Sequence, residues 1–531
     1  MTSLGADSRA FIQQKLNEFP CSFNIGRANY QIDGRGVDCT RICEVPCVKN
    51  TWERYVSYDI PNSSDDTWIP LEWEQNYRIK AYVEVGRFEE ARKLIDEVLY
   101  KTEEQNMTTM ANLAVLYFEE GKVEEADDVV KQLNELSSLI SFKYLKADAL
   151  CEQAYFYFEF ANAEKNISGI ELLNFALKFP IRYKHEADLM LGILHRRCLH
   201  WSTYDFAKEK IDFGFYVKDA FKILSALRYE INIKDIVKAH ALVELAMLRN
   251  TVTYVNNDYT QTIAFNGTVE TLCDEALTLA PSSANVTAIV GQLMRYVPGR
   301  TETAKQLLGT SLNIKPTGRA YHHLGLILLK EAKEFEHIHG TRAIRTLSLP
   351  LGDNIEQELN MDRVLQRLLS QAKEIPPFSS NNPFIQDATE NLHQYLLYSA
   401  IRTKIPAVVS LGHAYIRCRA YDRALEIYDR LNACDTDWVH KMVLAYGHLM
   451  STLCLLLKSE VETNETQTKT IRDKCLTLLI KAVSLWEEIS EAEVSSFEPS
   501  KILESLRRIP KYHDVPPNLL PKLNFKGQHN A

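Results

Sequence analysis

The sequence predicts an all-α protein: a right-handed superhelix of stacked helical hairpins, preceded by an irregular N-terminal cap. Two observations carry this. Glycine (20) and proline (18) are scarce for 531 residues, too few for the many tight turns of a strand-rich chain of this length. A segment of about 35 residues also recurs, which is the mark of a helical repeat array.

The repeat is clearest near the start. "EVGRFEEA" and "EEGKVEEA" place Gly86 and Gly121, Ala91 and Ala126, and Tyr82 and Tyr117 each 35 residues apart. The five-residue step from glycine to alanine returns at Gly299 and Ala304, in a segment ending at Pro316, 35 residues after Pro281. A further copy, Ala407–Leu431, holds Leu411, Gly412, Tyr415, Ala424 and Tyr428 in order, and "RAYHHLGLILLKEA" (Arg319–Ala332) reads as a first helix. Looser copies cover Ala147–Leu177 and the stretch from His185. The pattern is steric. A small residue on each helix (Ala114 with Ala126, Gly412 with Ala424) lets two axes approach, and large residues such as Leu113, Tyr117 and Val130 fill the next turn. Glycine at the turn ends the first helix. One hairpin cannot bury its apolar face alone, so hairpins stack. These residues resemble the tetratricopeptide repeat, most closely in Tyr77–Leu133 and Ala407–Leu431.

The remaining segments follow by contrast. Residues 1–65 fit no repeat: Phe11–Phe19 reads as a helix, and "QIDGRGVDCTRICEVPC" and "DIPNSSDD" read as an irregular cap. Repeats run over 66–335, with a divergent helical section at 201–265. An insertion with one helix (Met361–Lys373) occupies 336–384, repeats resume at 385–498 with "NETQTKT" as a loop in the last pair, and a proline-rich tail covers 499–531.

Composition narrows function. The formal net charge is -9, whereas chains that coat duplex nucleic acid are usually basic. There is no signal-peptide core at the N-terminus and no run of about 18 apolar residues, so the sequence predicts a cytoplasmic chain that does not cross a membrane. Sequons at Asn106, Asn166 and Asn266 then read as chance. The 11 cysteines lie largely in apolar segments, as buried thiols do in such a compartment. Cys39, Cys43 and Cys47, with Cys21 nearby, lack the paired spacing of a zinc site, and His195/His200 and His337/His339 lack the accompanying acid of a zinc peptidase helix. No phosphate-cradling glycine loop and no nucleophile elbow is present, and Glu89-Glu90 and Glu124-Glu125 sit at repeat turns. The sequence therefore predicts no catalysis, no metal and no cofactor.

What remains is the concave face, which the first helix of each hairpin lines. Counting four and five residues on from the small position gives Val83/Glu84, Phe118/Glu119, Phe158/Glu159, Arg196/Arg197, Tyr296/Val297, Leu329/Lys330 and Ile416/Arg417. The first three pairs are acidic; the later ones are basic or neutral. Arg295, Arg300, Arg319, Arg342 and Arg345 add positive charge, and Tyr155, Phe158, Tyr296 and His322 add rings. Cations interleaved with aromatics suit phosphate contact with base stacking. They equally suit an acidic peptide, an internally paired groove, or a solvated face with no ligand.

From Cys151 a narrower likeness emerges. "CEQAYFYFEFANAEKNISGIELLNFAL…ADLMLGILHRR", with Cys151, Glu152, Tyr155, Ala176-Leu177 and Arg196 in order, resembles the interferon-induced proteins with tetratricopeptide repeats. "PTGRAYHHLGL" and "EFPCSFNI" resemble further segments of that family, and residues 10–135 are about as similar to the tetratricopeptide repeat domain 22 family. The resemblance implies a basic channel for the 5′ end of single-stranded RNA, with Arg196 and His322 as contacts and Tyr155 packing on the terminal nucleotide. Glu159 departs from it by standing where RNA-binding members carry lysine; Gln153 and His195 depart as well. Two partner classes are thus expected for the groove residues Tyr155, Phe158, Arg196, Arg197, Arg295, Tyr296, Arg319, His322, Lys330 and Arg417: a protein or peptide, favoured, or single-stranded RNA in an innate-immune setting.

Overall fold

In the computed structural model the described residues are 29–32, 35–38, 67–137, 142–159, 163–202, 213–255, 265–338, 365–366, 368–370, 373, 377–398, 405–432, 441–460 and 465–487. They are helical apart from turns and one antiparallel strand pair, β1 (Asn29–Ile32) and β2 (Arg35–Asp38), with Asn29 opposite Asp38. This pair corrects the reading of "QIDGRGVDC" as irregular. Gln31 and Ile32, then Arg35 and Gly36, flank the two-residue Asp33-Gly34 turn signal of a hairpin. Phe11–Phe19, Cys21, Cys39, Cys43, Cys47, His339 and the 499–531 tail lie outside the described residues.

The chain divides into two compact units, 1–294 and 295–531. The first holds α1 (Leu71–Glu84), α2 (Phe88–Lys101), α3 (Met107–Glu119), α4 (Val123–Ser137), α5 (Phe142–Glu159), α6 (Ala163–Ala176), α7 (Lys184–Ser202), α8 (Phe213–Tyr229), α9 (Asp235–Val255), α10 (Val269–Leu279) and α11 (Ala284–Met294). Successive helices pack as hairpins, α1 on α2, α3 on α4, α5 on α6, α7 on α8 and α9 on α10. The second unit holds α12 (Thr301–Ile314), α13 (Gly318–Ile338), α14 (Ile385–Tyr398), α15 (Ile405–Arg417), α16 (Tyr421–Asn432), α17 (Lys441–Ser459) and α18 (Glu465–Glu487). Here α13 packs on α14, α15 on α16 and α17 on α18. "NETQTKT" is a further correction, since α18 begins at Glu465. Its polar residues form a solvated helical face, and the Thr470 hydroxyl donates back to the Thr466 carbonyl at 3.0 Å. Of the helix expected at Met361–Lys373, Leu365, Gln366, residues 368–370 and Lys373 are helical.

The repeat pattern is the packing pattern. Ala91, Ala126, Ala304 and Ala424 are fully buried. On first helices Ala114 and Ala154 are fully buried too, while a Cβ added to Gly192, Gly325 or Gly412 would run into Leu224, Leu392 or Tyr428. Gly86 and Gly121 adopt φ of +77° and +79°, the left-handed residue that closes a helix. The next amide reaches back to the repeat tyrosine's carbonyl, Arg87 N to Tyr82 O and Lys122 N to Tyr117 O, both 2.8 Å. Arg419 takes the same place without being glycine: its φ is 57°, and Ala420 N meets Tyr415 O at 2.9 Å. These three turns put the last residues of α1, α3 and α15 at one end of their hairpins.

Candidate functional site

In the first unit the groove residues meet at the end of α5. Tyr155 and Phe158 are buried, and their rings stack at 6.1 Å. Trp68 meets Phe158 edge-on at 5.7 Å, and Trp73 and Tyr77 flank Tyr155 at 6.2 and 6.1 Å. Tyr155 therefore presents its faces to protein, and the aromatic wall continues into α1 and the residues before it. Arg197 lies flat over Phe158, its guanidinium carbon 3.9 Å from the ring centre, and its Nη1 donates to the Phe158 carbonyl at 2.6 Å. Arg196 donates from Nε to Glu244 of α9, with 11% and 6% of the two side chains exposed. An ion pair this deep is neutralised within the protein.

Glu159 reaches solvent, yet surrounding protein thins the water about its carboxyl. That desolvation pushes its pKa up, Glu74 adds to the push, and the Arg197 charge with a hydrogen bond to Tyr155 opposes it. The floor of this site thus carries one accessible carboxyl beside two arginines already engaged.

Behind it lies a small cavity of about 160 Å³, lined in part by Glu72, Asn106, Asp148, Glu152, Arg182 and Tyr183. Glu152 is 4% exposed and joins three helices: Asn76 Nδ2 of α1 donates to its Oε2 at 2.7 Å, and Asn106 Nδ2, at the cap of α3, donates to Oε1 at 2.8 Å. Both amides are themselves fixed. Asn76 Oδ1 accepts from Thr109 Oγ1 and Asn112 Nδ2, each at 2.9 Å, and Asn106 Oδ1 accepts from Thr109 N at 2.8 Å. Burial raises the Glu152 pKa to about 8, eased by hydrogen bonds and reinforced by Asp148 and Glu72. Burial likewise raises Asp148 to about 6, although the Arg182 backbone amide and charge favour its ionised form.

In the second unit His322 stacks on Tyr395 at 4.5 Å with the planes 9° apart. Burial, then the charges of Arg295 and Arg319, lower its pKa to about 4, and its Nε2 has no hydrogen-bond partner among the described residues. Arg295 lies 4.6 Å over the half-exposed Tyr296 ring and donates to its hydroxyl at 2.5 Å. Lys330 is exposed and 3.6 Å from Glu334. Arg417 is only 4% exposed, 3.5 Å over Phe378, and burial lowers its pKa to about 10 against the opposing charge of Glu336. It fastens the 377–384 segment, because its carbonyl also accepts from Phe378 N at 3.0 Å.

The structure thus brings Tyr155, Phe158, Arg196 and Arg197 together in one unit, and Arg295, Arg319 and His322 in the other. Trp68, Trp73, Glu244 and Tyr395, which complete these sites, escaped the sequence reading; no spacing rule links Glu244 to Arg196 across 48 residues. No group of three or more metal-ligating side chains occurs among the described residues. No helix among them is long and apolar enough to cross a membrane.

Residues 407–437 match the tetratricopeptide repeat family model. No curated protein matches the chain. Three solved structures share its fold. A monomeric mutant of IFIT1 with Gppp-AAAA has a TM-score of 0.53 at 14% identity, over 94% of this chain and 99% of that one. The human IFIT1 dimer with m7Gppp-AAAA has a TM-score of 0.52 at 15% identity, over 94% and 98%. A second monomeric IFIT1 mutant, with m7Gppp-AAAA, gives 0.51 at 14% identity, over 94% and 99%. At such identities the likeness is one of fold: the protein is an all-α solenoid of tetratricopeptide-type hairpins.

Proposed function

We propose that this solenoid is a non-catalytic cytoplasmic scaffold whose groove holds a protein segment, with a basic stretch of that segment lying along the first three hairpins. The observation that carries the reading is the Arg196–Glu244 ion pair. It removes from the groove the cation that a phosphate would need, while Glu119 and Glu159 stay exposed. Exposed carboxylates along these hairpins suit lysine or arginine side chains, whose charged heads complement acids.

A second reading has its own support. The IFIT1 structures of like fold hold capped RNA, and Arg295 and Arg319 both bring positive charge to bear on His322. On that reading the protein is a single-stranded RNA sensor of the innate-immune type.

One experiment separates them: crosslinking in cytosol, with protein and nucleic acid identified from the same pull-down. The scaffold reading expects a reproducible protein partner that is lost with Glu159→Lys and insensitive to Arg319→Glu. RNA fragments without a protein partner overturn it. RNA binding would instead weaken with salt at a slope of about 0.7 per phosphate contact, and would fall with Arg319→Glu.

A further inference from the structure

The turn before α10 brings together parts that no groove function uses. Asn266 is exposed and is followed by Gly267, whose φ of +113° is one that a residue with a side chain rarely adopts. The Asn266 carbonyl accepts a hydrogen bond from Arg228 Nη1 at 2.6 Å, and Arg249 Nη1 donates to the Gly267 carbonyl. Asn266 Nδ2 donates to the Tyr229 hydroxyl at 3.2 Å. Among the described residues, the Gly267 N–H has no hydrogen-bond partner.

This arrangement bears on one peptide group. The Asn266 carbonyl and the Gly267 N–H belong to the same amide. When that nitrogen loses its proton, the negative charge spreads onto the oxygen that Arg228 already holds. A guanidinium aimed at the site of developing charge lowers the barrier, as donors in an oxyanion hole do. Glycine leaves the nitrogen open to the side chain of the residue before it.

We propose that Asn266 is a self-modifying residue that converts to a carboxylate at a rate set by Arg228. The Gly267 nitrogen attacks Asn266 Cγ, forming the N–Cγ bond of a five-membered succinimide. The Cγ–Nδ2 bond breaks, and ammonia leaves carrying the proton from the Gly267 nitrogen. Water then opens the ring at either carbonyl, giving aspartate or isoaspartate. The aspartate product puts a carboxylate where the amide met the Tyr229 hydroxyl, on the turn whose backbone carbonyls Arg228 and Arg249 hold. The isoaspartate product lengthens the backbone two residues before Thr268, whose hydroxyl caps α10 by accepting from Thr271 N at 3.2 Å.

The test is peptide mapping of the full chain aged at neutral pH, following the amide-to-acid mass gain and isoaspartate in the peptide that contains residue 266. The native chain should convert faster than the same chain unfolded in urea. Arg228→Gln should slow native conversion about tenfold, the size expected when one charge-assisted hydrogen bond to a developing anion is lost. Arg228 also pairs with Glu275 at 2.6 Å, so Glu275→Gln serves as the structural control: it breaks the same ion pair, leaves the guanidinium in place, and should keep the rate. Conversion no faster in the native chain than in urea overturns the proposal. So does equal slowing by Arg228→Gln and Glu275→Gln.

Discussion

Replacing Glu152 by glutamine should flatten the pH dependence of stability in the first unit. The carboxyl is buried at the junction of α1, α3 and α5, and its pKa rises from 4.5 to about 8. The folded state therefore keeps a proton that the unfolded chain sheds above pH 4.5. Stability from this group is full below that value and is lost as pH rises through the folded pKa, so the window runs from pH 4.5 to about 8. At about 1.4 kcal/mol per unit of pKa difference, the wild type should lose about 3 kcal/mol between pH 5 and pH 7.5 through Glu152. Glutamine cannot titrate and removes this slope. It also introduces an NH2 group between two fixed amide donors, since Asn76 and Asn106 are each held by Thr109. One donor then faces another, at a pH-independent cost of about 1–3 kcal/mol. The variant should thus be the weaker one in acid and draw level or ahead near neutrality. Urea unfolding followed by tryptophan fluorescence, with Trp68 and Trp73 close by, measures both proteins at both pH values. A stability difference between them that stays constant from pH 5 to pH 7.5 would show that Glu152 is ionised in the folded protein, and the reasoning would fail.

Three further expectations concern packing and pairing. Arg419→Gly should stabilise the second unit by about 1 kcal/mol, because glycine adopts a positive φ without the clash an arginine Cβ meets; a lower urea midpoint than wild type would contradict this. Gly412→Ala should destabilise by about 1–3 kcal/mol, since the new methyl meets the fully buried Tyr428 ring, and Tyr428→Leu should return part of that loss in a double-mutant cycle. Glu244→Ala should cost about 3–5 kcal/mol by leaving Arg196 charged and unpaired, whereas Glu244→Ala with Arg196→Met should recover most of it; thermal unfolding of the three variants decides.

The sequence was most legible where geometry is local. Gly86, Gly121, Ala91 and Ala126 announce a turn and a close helix contact within a few residues, and those are the features observed. Local composition misled at Glu465–Thr470, where polar residues suggested a loop but form the exposed start of α18, and at 29–38, where a strand pair stands in a segment read as irregular. At the candidate groove positions the sequence showed which residues carry charge, but not whether that charge is paired. Arg196 is placed by its helix, yet whether it is free depends on Glu244 of another hairpin, a pairing that periodicity within one repeat cannot contain. The same holds for Glu152, whose donors lie 46 and 76 residues away.

That last connection limits how far this array behaves as a set of interchangeable parts. Excising Arg87–Gly121 would splice one closing turn onto its equivalent and leave a chain whose every hairpin still looks complete. It would also delete Asn106, Thr109 and Asn112, so a protonated acid in the interior would keep one of its two amide donors and lose the anchors of that one. The first and third hairpins are bound into a single folding unit by hydrogen bonds that skip the repeat boundary, and shortening the array by one period should unravel both.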